Sequence, residues 1–157
     1  MSPTTAQDLL AAHPFLSGLT EERLAKLSTW ARRSPFHAGA RVFSEGAPAD
    51  RFWLIRDGRV RLDAHVPGRG DVEIETLGPD TVLGWSWLFP PYRWHFSALA
   101  VEATLTVVLD AAGVRRLCDA DLVLGYDLSQ RFMRVVVERL QATRARLLDA
   151  PAAVDGT

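Results

Sequence analysis

Phe52-Trp53-Leu54-Ile55-Arg56-Asp57-Gly58-Arg59-Val60 carries three structural instructions in nine residues. Phe52 to Ile55 is a short apolar run, which predicts a buried strand. Asp57-Gly58 is a hairpin signal, because glycine accepts the positive φ that tight turns demand. Beyond the turn, Val60 and Leu62 alternate with Arg59, Arg61 and Asp63, the period of two of a half-buried strand.

The same reading extends both ways. Val42 and Phe43 precede a turn over Gly46-Ala47-Pro48-Ala49-Asp50, and Pro67 to Asp71 forms another. Val72, Ile74 and Leu77 alternate with Glu73 and Glu75, and Leu77-Gly78-Pro79-Asp80 turns again. Leu99 to Leu109 is rich in apolar and β-branched residues. Strands spaced by about ten residues predict an antiparallel sandwich or barrel.

Helices flank this region. Asp8 to Ala12 predicts a short helical turn before Pro14. Thr20 is an N-cap for a helix with Glu21 and Glu22 in its first turn. Leu24, Leu27 and Ala31 carry that helix to about Arg33, with Pro35 as its stop. Asp110 caps a short helix that opens at Ala111. Residues 121–149 read as one long helix of about 42 Å, longer than a domain of this size covers alone.

The totals narrow the function. The 157 residues, 48% of them apolar, suit one domain with a real core. Lys plus Arg total 18 against 19 Asp plus Glu, which argues against a chain-wide grip on nucleic acid. Cys118 is the single cysteine, so neither an internal disulfide nor a multi-cysteine zinc site is available. No run approaches the roughly 20 apolar residues of a membrane span, and the N-terminus does not resemble a signal peptide. A cytoplasmic protein without membrane association is expected.

The order of short helices, strands, short helix and long helix resembles the cyclic nucleotide-binding domain of catabolite activator and Fnr-like regulators and of kinase and channel regulatory domains. Ala38 to Asp50 and Phe52 to Val60 carry the resemblance, and Leu77-Gly78-Pro79-Asp80 through Gly84 continue it. It covers about residues 14–148. It implies an α+β fold: an eight-stranded antiparallel β-roll (a jelly-roll-like double-stranded β-helix) over about 36–109, with N-terminal helices and the long helix over about 121–149. Residues 1–13 read as an N-terminal extension and 151–157 as a disordered tail.

In that family the segment after the equivalent of Gly84 is the phosphate-binding cassette, where backbone N–H groups meet a cyclic phosphate. The resemblance therefore places Gly84, Trp85, Ser86, Trp87, Arg93, Phe96, Ser97 and Ala98 at ligand-binding positions. Nucleotide binders have Glu after the glycine, for the ribose, and an Arg-Ser/Thr-Ala triplet, for the phosphate. Here Trp85 replaces the Glu, and Phe96 stands before Ser97-Ala98 where the Arg belongs. Losing both charge-assisted contacts costs several kcal/mol, about enough to turn micromolar binding into millimolar. Arg93, three positions earlier, is the available substitute. Trp85, Trp87, Trp94 and Phe96 either line a pocket for a planar ligand or fill the space a nucleotide would occupy.

Other chemistry is thinner. His13, His37, His65 and His95 lack the spacing of a cupin metal site, so no metal is assigned and a cupin-like metalloenzyme is a remote alternative. Ser86 and Ser97 have no His and Asp in a motif context, so no catalytic residue is assigned. Cys118 is expected to be buried and inert. Arg134, Arg139, Arg144 and Arg146 alternate with Glu138 and read as a solvated helix face. Nine residues follow Leu148, with neither a recognition helix nor a basic cluster, so direct DNA reading by these residues is not expected.

The long helix is expected to form a homodimer, or to dock on a partner protein, through Leu124, Leu128, Phe132, Val135, Val136 and Leu140. The whole reads as a non-enzymatic sensor or regulatory domain with impaired or altered nucleotide binding and no required cofactor. The alternative is a genuine cAMP or cGMP binder that uses Arg93, Ser86, Ser97 and backbone amides. If a ligand binds, the family implies that the Gly84 to Ala98 loop repositions the Ala111 to Leu117 helix and the long helix.

Overall fold

The computed structural model describes residues 4–149. Helix α1 (Ala6–Ala12) opens on a reciprocal cap: the Thr5 hydroxyl accepts from the Asp8 amide and the Asp8 carboxylate accepts from the Thr5 amide. A 3₁₀ turn over Pro14–Leu16 leads to α2 (Glu21–Ser28), with Thr20 as its cap. Leu9 and Leu10 of α1, within the N-terminal extension, are buried in the core. The expected tail, residues 151–157, lies outside the described residues.

Eight antiparallel strands follow: β1 (Ala31–Phe36), β2 (Arg41–Phe43), β3 (Arg51–Asp57), β4 (Val60–Val66), β5 (Gly70–Leu77), β6 (Val82–Leu83), β7 (Ser97–Ala100) and β8 (Thr104–Asp110). They form two four-stranded sheets, ordered β1-β8-β3-β6 and β2-β7-β4-β5. The β3–β4 turn falls at Asp57-Gly58, as read. Gly58 has φ +94°, and a β-carbon there would stand 2.5 Å from the Ala103 carbonyl oxygen.

One element departs from expectation. Helix α2 stops at Ser28, not near Arg33, and Ala31–Phe36 is a strand paired residue by residue with Leu109–Thr104 of β8. Trp30 closes the last helical turn, its amide donating to the Leu27 carbonyl, and the chain then runs along β8. Pro35 is tolerated because β1 is an edge strand, where a missing N–H breaks no inner ladder.

A second departure lies in β4. Its register against β5 shifts between Leu62 and Asp63, and the in–out alternation breaks there. Asp63 is buried, with Arg61 at 3.4 Å and Arg41 at 3.8 Å compensating its charge.

Helices α3 (Ala111–Ala120) and α4 (Leu122–Asp149) close the fold. The Asp110 side chain caps α3 at Gly113, and Asp121 caps α4 at Leu124. Asp121 also receives Arg23 of α2 through two nitrogens, at 2.9 and 3.3 Å, tying the helix junction to the N-terminal helices. Aromatic rings join α4 to the roll. Phe52 of β3 stacks on Trp87 at 4.8 Å, and Phe132 of α4 meets both edge-on at 5.2 and 5.3 Å. No described helix is long and apolar enough to cross a membrane.

Candidate functional site

Strand β6 delivers the chain to Gly84, whose φ of +98° turns it toward the interior. Trp85 follows, then a 3₁₀ turn over Ser86–Leu88, then a loop that returns to β7 at Ser97. The returning arm is zipped to the β2–β3 loop. The Trp94 amide donates to the Ala47 carbonyl at 3.0 Å, and the Gly46 amide donates to the Trp94 carbonyl at 2.9 Å. Arg93 lies on this exposed arm and donates to the Gly46 carbonyl at 2.9 Å.

Trp94 is the plug. Its indole is buried, stacks on Phe43 at 3.9 Å and lies 5.8 Å from Trp53. Around it Trp85 stacks on His95 at 5.4 Å and meets Phe96 edge-on at 6.3 Å. The Ser86 hydroxyl lies 2.9 Å from His95 Nδ1, joining the two ends of the loop. Ser86 is itself buried, so its hydroxyl is held against His95 within the loop.

Gly84, Trp85, Ser86 and Phe96 are thus brought together, with Trp94 and Arg139, around about 10 Å³ of accessible space. That is room for about one water. The other expected positions point elsewhere. Trp87 faces the core, and its indole Nε1 is a buried donor without a hydrogen-bond partner. The Ser97 hydroxyl accepts from the Glu45 amide at 2.9 Å, and Ala98 is fully buried.

Arg139 of α4 was misread from sequence as part of a solvated face. Its side chain is only 11% exposed, its Nη2 donates to the Val82 carbonyl, and its Nε lies 3.7 Å from Glu75 Oε2. Burial pushes its pKa down to about 10, against the pull of Glu75 and Glu138. One arginine of four on a charged helix, directly after Glu138, gives no sequence signal for this placement. Cys118 is half-buried, and burial raises its thiol to about 11, with Asp119 and Asp121 adding to the shift.

Residues 33–121 match the family described as the cyclic nucleotide-binding domain. The chain belongs to that family. A curated relative, the CRP-like cAMP-activated global transcriptional regulator of Mycobacterium tuberculosis (strain CDC 1551 / Oshkosh), is 26% identical over 143 residues. The match covers 90% of this chain and 62% of that protein, so the chain spans about six-tenths of the relative's length. Among solved structures, a cyclic nucleotide-binding domain from Methylobacillus flagellatus superposes with TM-score 0.79 at 18% identity, covering 94% of this chain and 83% of that one. The catabolite activator protein of Thermus thermophilus gives TM-score 0.68 at 24% identity, over 85% and 61%. Both likenesses establish the cyclic nucleotide-binding fold. The β-roll with its long C-terminal helix is the architecture that the sequence resemblance implied.

Within that fold the long helix has two apolar stripes where one was expected. Leu124, Leu128 and Phe132 are buried against the chain's own core, and Val135 is half-buried beside them. These residues of the expected dimer seam therefore hold α4 to its own roll. Val136 is half-buried, and Leu140, 66% exposed, is the member of that set that faces outward. Val123, Tyr126, Met133, Val137 and Leu147 are exposed with Leu140. With Gln130 and Arg144 they follow three-and-four spacing through four heptads. Both stripes carry large apolar residues, so periodicity alone did not say which faces the roll.

Proposed function

We propose that this chain is a non-enzymatic sensor or regulatory domain whose cassette is closed to cyclic nucleotides and whose output is the exposed face of α4. The observation that carries the reading is the filled cassette. A small-molecule pocket needs roughly 300–1,000 Å³, and the space between Gly84, Trp85, Phe96, Trp94 and Arg139 is about 10 Å³. Arg93, the candidate phosphate cation, is spent on the Gly46 carbonyl. Among the described residues no group of His, Cys, Asp and Glu is arranged to hold a metal. A thermal-shift assay with millimolar cAMP and cGMP tests this. No rise in melting temperature is expected. A rise that Arg93→Ala abolishes would restore the nucleotide-binding alternative.

The exposed stripe supports a homodimer through α4. Heptad spacing from Val123 to Leu147 suits a two-stranded seam, and a second copy of the helix has the same period. Light scattering is expected to give twice the mass of one chain, falling to one on Met133→Asp with Leu140→Asp. An unchanged mass in that variant would remove α4 as the seam.

A further inference from the structure

A cleft of about 430 Å³ opens between the Ser86–Leu88 turn, α3 and the start of α4. It shares no lining residue with the remnant beside Gly84, and its volume falls in the range of small-molecule sites. Trp87 and Leu88 line it from the turn, Tyr92 from the loop, Arg115 and Asp119 from α3, and Leu122 from α4.

Arg115 and Asp119 stand four residues apart on α3, the spacing at which opposite charges on a helix meet. They do not pair. Arg115 Nη1 donates instead to the Trp87 carbonyl at 2.7 Å, and its guanidinium lies 4.6 Å from the centre of the Tyr92 ring. Tyr92 is held at φ +56°, in the left-handed region that a tyrosine rarely adopts, with its ring under the cation. A guanidinium carries five N–H donors, and the carbonyl takes one. Trp87 also carries a buried indole N–H without a hydrogen-bond partner, so this end of the cleft is rich in donors. Asp119 is exposed and, among the described residues, has no ion-pair partner. An open cation and an open anion one helical turn apart, beside Leu88 and Leu122, match a ligand with both charges close together and an apolar body.

We propose that this cleft binds an α-amino acid with a large apolar side chain: Arg115 takes the carboxylate, Asp119 takes the ammonium, and the side chain lies against Leu88 and Leu122. The assignment stands whether or not the cassette admits a nucleotide.

Calorimetric titration of the full chain with three probes of one ring and different charge tests it. Phenylalanine is expected to bind about tenfold more tightly than 3-phenylpropionate, which lacks the ammonium, or phenethylamine, which lacks the carboxylate. Asp119→Asn, a change at an exposed side chain, is expected to erase the advantage over 3-phenylpropionate. Arg115→Gln is expected to erase the advantage over phenethylamine. Equal affinity for the three probes, or no saturable binding of phenylalanine to about 10 mM, would overturn the assignment. Cys118 lines the same cleft, so saturating phenylalanine is also expected to slow its labelling by maleimide. Unchanged labelling at saturation would put the bound amino acid elsewhere and equally overturn it.

Discussion

The indole of Trp94 closes over Gly84, so that a β-carbon at residue 84 would stand 2.9 Å from its Cη2. The backbone at 84 is also in the left-handed region, at φ +98°. Gly84→Ala therefore meets two costs together, and a loss of about 1–3 kcal/mol is expected. Urea unfolding measures it. A variant as stable as the parent would mean that Trp94 does not hold this position.

Trp87 sits between Phe52 and Phe132 with an unsatisfied indole N–H. Trp87→Ala empties a large core site, and about 3–5 kcal/mol is expected to be lost. Trp87→Phe keeps an aromatic ring and removes the orphan donor, so its loss is expected to stay below about 1.5 kcal/mol. Equal losses in the two variants would contradict the packing described.

His13 is buried. Its Nε2 donates to the Ile55 carbonyl at 2.9 Å while its Nδ1 accepts from the Phe15 amide at 3.2 Å. Burial holds its pKa below the ordinary histidine value, against opposing pulls from the Ile55 hydrogen bond and Asp80. The unfolded chain thus binds the proton more readily than the folded one. The contribution is complete above the unfolded pKa of about 6.5 and is lost as pH falls below it toward the folded value. Unfolding curves between pH 7.5 and 5 are expected to show falling stability in the parent and a flatter profile in His13→Gln. Identical pH profiles would remove His13 as the source.

Cys118 is expected to react with maleimide at pH 8 about a hundredfold more slowly than a free thiol, since burial raises it from 9.0 to about 11. Labelling kinetics against free cysteine decide it, and equal rates would place the thiol in open solvent.

Much of the roll was legible because its turns carry their own chemistry. Asp57-Gly58 marks a hairpin, Leu77 to Asp80 marks a turn, and the β4 and β5 residues alternate. Strand β1 was hidden: Ala-Arg-Arg-Ser-Pro-Phe has no period of two, and only pairing with β8 makes it a strand. The Gly84 to Ala98 stretch was legible as a candidate site, with Trp85 and Phe96 standing where the resemblance implies charged side chains. What fills it was not resolved. Trp94 packs inward with its main chain paired to Gly46 and Ala47 and its indole stacked on Phe43, partners about forty to fifty residues away. Arg139 reaches the cassette from a helix more than fifty residues away in sequence. Such long-range placements leave no local pattern to read.

Calorimetric titration of the parent protein with cAMP and then cGMP, to millimolar concentration, tests the closed cassette most directly. The packing of Trp85, Trp94, Phe96 and Arg139 predicts no saturable heat for either nucleotide. Saturable binding in the micromolar range would contradict it.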